Sequence, residues 1–188
     1  MTIAPFTEVL KFWFDELTAK QHFTQDTVLD ETIRTRFGLR LDAASRCELY
    51  GWRATATGAL AEILVLDQFS RNVYRGTPRA FAQDALALAL AQQLVASGQH
   101  LSLGVRQRCF VYMPYMHSES LLIHAQAAVL FNQPGLEENL DFELRHQAII
   151  ARFGRYPHRN LILGRASTAE ETDFQSARIF FLSRHTSC

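Results

Sequence analysis

Turn-forming residues divide this sequence at intervals that suit helices, and no segment between them alternates like a convincing β-strand. Thr77-Pro78 is typical of a helix start, and Gly98 is typical of a helix end. Apolar residues recur at helical spacing between such points, as in Phe6, Val9, Leu10, Trp13 and Leu17. The sequence therefore predicts an all-α fold of about eight helices, with antiparallel neighbours joined by short loops and without a sheet.

The caps and the periodicity also predict where each helix lies. The expected ranges are Thr2–Leu17, a helix from near Asp26 that ends at Gly38 or absorbs it, a third helix ending near Val73, Thr77–Gly98, Val105–Met116, Glu119–Phe131, Leu136–Phe153 and Ser167–Ser183. We expect Pro114 to kink or end the fifth helix, and Ser118 to cap the sixth. Ten side chains are expected to be mostly buried: Trp13, Phe14, Leu64, Phe69, Phe81, Phe110, Tyr112, Leu122, Ile149 and Phe153.

Composition and charge exclude several classes of protein. Nineteen basic and nineteen acidic residues cancel, which disfavours a nucleic-acid binder that relies on bulk charge. The longest charge-free stretch, residues 85–105, is too polar to span a membrane. Without a linker or an internal repeat, residues 1–188 are expected to form a single helical domain. Cys47, Cys109 and Cys188 form no CxxC pair, which predicts reduced thiols in a cytoplasmic protein.

The first polar cluster lies at the end of the third predicted helix. Leu60, Leu64, Asp67 and Arg71 share one face of that helix, so an apolar stripe turns polar without changing direction. Three further polar side chains lie beside this stripe: Gln68, Asn72 and Arg75. This pattern indicates the wall of a cleft. The alternative is a surface ion pair between Asp67 and Arg71.

The second polar cluster follows Pro114. His117 and Glu119 lie at the mouth of the next helix, where a histidine can act as an acid or base near neutral pH. Neither HExxH nor the PCxxC half of the zinc deaminase pattern is present, so we predict no metal and no cofactor. The alternative is that these residues only cap helices.

The third polar cluster contains no acid between residues 144 and 169. Its bases after Gly154 are Arg155, His158, Arg159 and Arg165, and Asn160 lies among them. Arginines beside the N-terminus of the last helix predict a site for a carboxylate or phosphate. The alternative is that Glu170 and Glu171 are the partners of these arginines. We expect the three clusters to converge, with Asp67 or Glu119 in contact with an arginine from residues 155–165.

Segments 66–84, 112–121 and 153–171 resemble a bacterial and fungal family known as domain of unknown function nine-two-four. The resemblance covers residues 9–174 and implies an all-helical fold similar to tetratricopeptide-repeat proteins, in stacked antiparallel helix pairs, with no established activity. The family's motifs fall here on Asp67, Gln68, Arg71, Asn72, Arg75, Pro114, His117, Ser118, Glu119, Gly154, Arg155, Pro157, His158, Arg159, Asn160, Gly164, Arg165, Ser167, Thr168 and Glu171. Ala169 replaces an expected proline, and the tail after Phe174 differs from the family's usual ending.

Three functions remain open at this point. The first is a binding module that holds a peptide or a small anionic molecule through these arginines. The second is an enzyme acting on a small phosphate- or carboxylate-bearing substrate, with His117 or His158 as acid/base and Glu119 or Asp67 to orient it. The third is a structural ion-pair network. A site leaves a histidine and an arginine facing a cleft, whereas a network leaves none.

Overall fold

A computed structural model describes the backbone of residues 5–184 and the side chains of residues 5–176. This part of the chain is all-helical and contains no β-strand. Its α-helices are α1 (Thr7–Lys11), α2 (Ala19–Phe23), α3 (Thr27–Ser45), α4 (Ala56–Leu64), α5 (Ser70–Val73), α6 (Asp84–Ala96), α7 (Val105–Met116), α8 (Leu121–Phe131), α9 (Glu137–Phe153) and α10 (Ala169–Arg184). Short 3-10 turns lie at Tyr50–Ala54, Pro78–Phe81, Gln99–Ser102 and Pro157–Arg159.

Two helices that the sequence suggested as regular contain a wider π-helical turn. Phe12–Glu16 extends α1, and Val65–Phe69 joins α4 to α5. The expected start of the first helix at Thr2 lies outside the described residues. The short helix α2 was not predicted, and its start is fixed by a capping box between Thr18 and Gln21.

The predicted helix start at Thr77 is wrong. The hydroxyl of Thr77 donates to the carbonyl of Tyr74 at 2.7 Å, and Pro78–Phe81 forms a 3-10 turn before α6 begins at Asp84. Gly98 is left-handed, with a φ of 73°, and follows the end of α6 as expected.

The predicted start of the sixth helix is also wrong. Ser118 does not cap it, and α8 begins at Leu121 rather than at Glu119. The reason is that Glu119 turns away to accept from the backbone N–H of Tyr156 at 2.8 Å and from Arg165 at 2.7 Å. These bonds hold Glu119 in a non-helical connection.

The other helix ends follow the sequence closely. The helix α7 occupies the predicted range, and it ends two residues after Pro114. Before α10, Thr168 accepts from the backbone N–H of Glu171 at 3.2 Å, and Glu171 accepts from the N–H of Thr168 at 2.7 Å. This reciprocal pair is the predicted capping box.

The core forms where α3, the π-helical turn at Val65–Phe69, α4 and α7 pack together. Among the ten side chains predicted to be mostly buried, Leu122 is the one that the structure contradicts, because it is 72% exposed. The helix α8 buries His124, Ala127 and Phe131 between α7 and α9, so Leu122 lies on its outer face. Cys47 and Cys109 are free thiols, as predicted, and Cys188 lies outside the described residues.

Candidate functional site

Asp67 is the centre of the polar cluster. Its side chain is 1% exposed, which excludes the surface ion pair that the sequence offered as an alternative. One carboxylate oxygen lies 2.9 Å from Arg71 and 2.7 Å from Nδ1 of His117, and the other accepts from Gln68 at 2.6 Å. Asp67 belongs to the π-helical turn, a feature that often occurs at functional sites.

A second carboxylate, Asp84, joins the first polar cluster to the third. Arg71 contacts both oxygens of Asp84 at 3.0 Å, and Arg159 donates to one of them at 3.2 Å. Arg159 also donates to the backbone carbonyl of His117 at 3.0 Å. The ring of Phe81 lies against both arginines. The convergence expected from sequence is therefore present for Asp67, Arg71, His117 and Arg159.

Two cavities open beside these residues. The first, the basic cavity, has a volume of about 330 Å³; it is lined by Arg71, Arg75, Gly76, Ala80, Phe81, His117, His146, Tyr156, His158, Arg159 and Ile162. The second, the mixed cavity, has a volume of about 410 Å³; it is lined by Pro78, Phe81, Ala82, Asp84, Ala85, Leu88, Pro114, His117, Ser118, Glu119, Arg159 and Leu163. Phe81, His117 and Arg159 lie on the walls of both.

The charges around Asp67 set its protonation and that of His117. Burial opposes ionisation of Asp67, but the charge of Arg71 and the hydrogen bonds from His117 and Gln68 outweigh it and hold the pKa of Asp67 well below its usual range. Burial also lowers the pKa of His117, the charge of Arg71 lowers it further, and Asp67 opposes both effects. The favoured state is an ionised aspartate beside a neutral imidazole.

The remaining residues of the first polar cluster contribute less directly to the two cavities. Gln68 binds the carboxylate of Asp67. Asn72 and Arg75 both donate to Asp30 of α3, Asn72 at 2.8 Å and Arg75 at 2.6 Å and 2.8 Å. Arg75 lines the basic cavity as well, whereas Asn72 lines neither cavity.

Some residues of the third polar cluster line the cavities, and others belong to a separate ion-pair network. Arg159 lines both cavities, and His158 lines the basic one. Arg165 pairs with Glu119, and Asn160 donates to Ser167 at 3.1 Å. Glu119 lines the mixed cavity, whereas Arg165, Asn160 and Ser167 line neither of the two cavities.

The anion site predicted at the N-terminus of the last helix is filled by the protein itself. Arg155 binds both oxygens of Glu171, at 2.7 Å and 2.9 Å, and the N–H of Thr168 donates to one of them. These bonds hold the pKa of Glu171 at about 2. The alternative noted from the sequence, in which Glu170 or Glu171 is the partner of these arginines, is therefore confirmed for Arg155 and Glu171.

Sequence reasoning missed a buried polar chain behind the basic cavity. The hydroxyl of Tyr156 lies 3.2 Å from Nε2 of His124, and Nδ1 of His124 lies 2.6 Å from Glu143. These three side chains are almost completely buried. The available signal was His124 itself, a polar residue in the otherwise apolar start of α8. Asp84 was missed because the sequence placed it in the interior of a helix predicted to begin at Thr77, where nothing marked it as a partner of the arginines.

The described part of the chain has neither a clustered set of metal ligands nor a membrane-spanning helix. There, no group of three or more His, Cys, Asp or Glu side chains is arranged to hold a metal ion. No helix in the same part is both long and apolar enough to cross a membrane.

Comparisons with known proteins agree with the resemblance noted from the motifs. Residues 9–178 match the family described as bacterial protein of unknown function (DUF924). The solved structure of a protein of unknown function from Agrobacterium tumefaciens is similar, with 36% sequence identity and a TM-score of 0.86 over 90% of this chain and 96% of that chain. Curated proteins give no match. The chain belongs to the DUF924 family of bacterial proteins of unknown function.

Proposed function

We propose that this protein binds a small molecule through a phosphate or carboxylate group held in the basic cavity. The observation that carries the proposal is the composition of the cavity wall. Its polar side chains are three arginines, three histidines and a tyrosine, and no carboxylate lies among them. An oxyanion in this space meets positive charge and N–H donors on several sides.

The carboxylates that pair with these arginines lie behind them. Asp67 and Asp30 do not line the basic cavity, and Asp84 faces the mixed cavity instead. Each carboxylate therefore orients a guanidinium group that also lines the basic cavity. Groups that are already oriented lose little conformational freedom when a ligand binds.

The size of the cavities favours a small molecule over a peptide. Volumes of about 330 Å³ and 410 Å³ lie near the lower end of the range for small-molecule pockets. A peptide in an extended conformation needs a long trough. A purely structural network is disfavoured as well, because His117 and Arg75 both face a cavity.

Calorimetric titration with inorganic phosphate at pH 7 tests the proposal, with Arg75→Gln and Arg53→Gln as a matched pair. Both arginines make two-bond ion pairs with a carboxylate, Arg75 with Asp30 and Arg53 with Glu62. Only Arg75 lines the basic cavity. We expect Arg75→Gln to weaken phosphate binding about 10-fold or more, the effect of one charge-assisted hydrogen bond.

Arg53→Gln should leave phosphate affinity unchanged. The proposal is wrong if the unsubstituted protein does not bind phosphate, or if both variants weaken binding equally. A parallel titration with acetate shows whether the cavity prefers a carboxylate to a phosphate.

A further inference from the structure

His117 lies where the two cavities meet. On one side the wall of the basic cavity carries arginines and histidines. On the other side the mixed cavity is largely apolar, and its apolar aliphatic residues are Pro78, Ala82, Ala85, Leu88, Pro114 and Leu163. A ligand whose oxyanion occupies the basic cavity can place an uncharged, apolar portion in the mixed cavity, with His117 beside the bonds that connect the two.

The hydrogen bonds of His117 fix which ring nitrogen is available. Nδ1 lies 2.7 Å from the carboxylate of Asp67, which is an acceptor when ionised, so Nδ1 carries the hydrogen. No side chain or backbone group among the described residues bonds to Nε2. The imidazole is 18% exposed and lines both cavities. Nε2 therefore offers its lone pair to whatever occupies the junction.

His124 provides an internal comparison. Its Nδ1 also lies against a carboxylate, that of Glu143 at 2.6 Å. Its Nε2, however, lies 2.9 Å from the carbonyl of Ser118 and 3.2 Å from the hydroxyl of Tyr156. His124 is completely buried. Both histidines pair with a carboxylate through Nδ1. Within the described part of the chain, Nε2 is hydrogen-bonded in His124 but not in His117.

We infer that His117 is a general base that takes a proton at Nε2 from an O–H group held at the junction of the two cavities, with Asp67 as its positioning residue. The inference rests on the proposed anion binding and extends it. In the step, the O–H bond breaks, an N–H bond forms at Nε2, and the oxygen keeps the electron pair. The new imidazolium is balanced by Asp67, which stays ionised.

The surroundings of His117 suit a base that is neutral before the proton arrives. The charged and titratable groups that face it are Asp67, Arg71, Asp84 and Arg159, with Arg75, Glu119, His146, Tyr156 and His158 across the cavities. Burial and Arg71 favour the neutral ring, as described above. An oxyanion bound in the basic cavity adds negative charge nearby, which favours the protonated ring and strengthens the base when the ligand is present.

Nitrogen-15 NMR of the histidine rings in the full-length protein tests this inference, with the His117 signals assigned by their loss in His117→Gln. At pH 7 we expect Nδ1 of His117 to be protonated and Nε2 to be unprotonated. Saturating inorganic phosphate should raise the pKa of His117 by about one unit or more. His124 should not respond to phosphate, because its Nε2 is already occupied.

Asp67→Asn adds a test of the positioning role. An asparagine amide can donate to Nδ1 as well as accept from it, so this variant should raise the share of the tautomer that carries its hydrogen on Nε2. If the role of Asp67 were only structural, replacing it would not change which ring nitrogen of His117 carries the hydrogen. If Asp67→Asn does not fold, the measurements on the unsubstituted protein still decide the inference.

Three results would overturn the inference: a proton on Nε2 at pH 7, a fully charged His117 ring at pH 7, or an unchanged His117 pKa in a protein that calorimetry shows to be saturated with phosphate. The last result leaves the proposed anion binding intact. Absence of phosphate binding in calorimetry instead removes the proposed function, and the extension falls with it.

Discussion

Arg159 donates to the backbone carbonyl of His117 across 42 positions of sequence, at 3.0 Å. That carbonyl follows the end of α7, where the last carbonyls have no partner inside the helix. The guanidinium therefore completes the end of α7 while the same side chain lines both cavities. Arg159 therefore contributes both to the stability of α7 and to the candidate site.

Replacing Arg159 should affect stability and binding together. Arg159→Ala leaves Asp84 with one fewer partner and a carbonyl unsatisfied, and we expect a loss of about 3–5 kcal/mol in the free energy of unfolding, measured with urea. Arg159→Lys keeps the charge but loses the planar fork, so it should recover part of the stability without restoring phosphate affinity. Arg145→Ala is the control, because its pair with Asp141 is exposed and should contribute less than about 1 kcal/mol. Equal effects of Arg159→Ala and Arg145→Ala would contradict the placement of Arg159.

Removing Glu143 should destabilise the chain strongly. Glu143→Ala leaves the buried Nδ1 of His124 without its partner and opens a cavity, so we expect a loss of about 3–5 kcal/mol in urea unfolding. Glu143→Gln retains an acceptor oxygen but buries a new N–H₂ group, and should cost about 1–3 kcal/mol. Glu138→Ala, an exposed position on the same helix, serves as the control. A loss below about 1 kcal/mol for Glu143→Ala would show that the buried hydrogen bonds among Tyr156, His124 and Glu143 are not important for stability.

Stability should fall as the solution becomes acidic, and Asp67 should be one cause. Because the pKa of Asp67 is lower in the folded chain, its contribution is complete above the unfolded pKa, about 3.9, and is lost as pH falls through the folded pKa. His117 acts in the same direction at higher pH, since its lowered pKa means that the unfolded chain takes up this proton first, below about pH 6.5.

Urea unfolding at pH 7, 5 and 3 measures this dependence. Asp67→Asn should be less stable at pH 7 and should lose less stability between pH 5 and pH 3 than the unsubstituted protein. Asp141→Asn changes an exposed carboxylate on α9 whose charge is screened by solvent. This variant should lose as much stability between pH 5 and pH 3 as the unsubstituted protein. The explanation fails if Asp67→Asn loses as much stability over this interval as the unsubstituted chain.

The two described cysteines should differ widely in reactivity. Cys109 is buried, and burial raises its pKa to about 12, so its thiolate is scarce and inaccessible at neutral pH. Cys47 is exposed. Brief treatment with a maleimide followed by peptide mass spectrometry should find Cys47 modified, and Cys109 modified only after denaturation. Modification of both at similar rates would contradict the burial of Cys109.

The sequence anticipated the helices better than the details of their ends. The range of α7 and the capping box before α10 depend on local signals, and both were predicted. The start of α8 depends on Arg165, which lies 46 positions from Glu119, and no local rule contains that contact. Leu122 shows the same limit, because hydrophobicity indicates burial but not which face of an apolar helix meets its neighbours.

The candidate site was predictable as a convergence and less so as a set of partners. The misplaced polar residues of three motifs pointed to Asp67, His117 and Arg159. Their connection through Asp84 was not visible, because Asp84 lay inside a helix predicted to begin at Thr77 and its contact with Arg159 spans 75 positions of sequence. The final pairing of Asn72 with Asp30 also depends on how α3 crosses the following helices, which only tertiary packing decides.

The π-helical turn at Val65–Phe69 makes the length of this segment as important as its chemistry. Such a turn behaves as one residue inserted into an α-helix, and each residue of an α-helix rotates the chain by about 100°. Deleting a single residue from the turn would restore regular winding with Arg71 at nearly its present angle to α4, and it would remove the wide turn that carries Asp67. Families that share this site should therefore tolerate exchanges of apolar residues within the turn but not a change in its length.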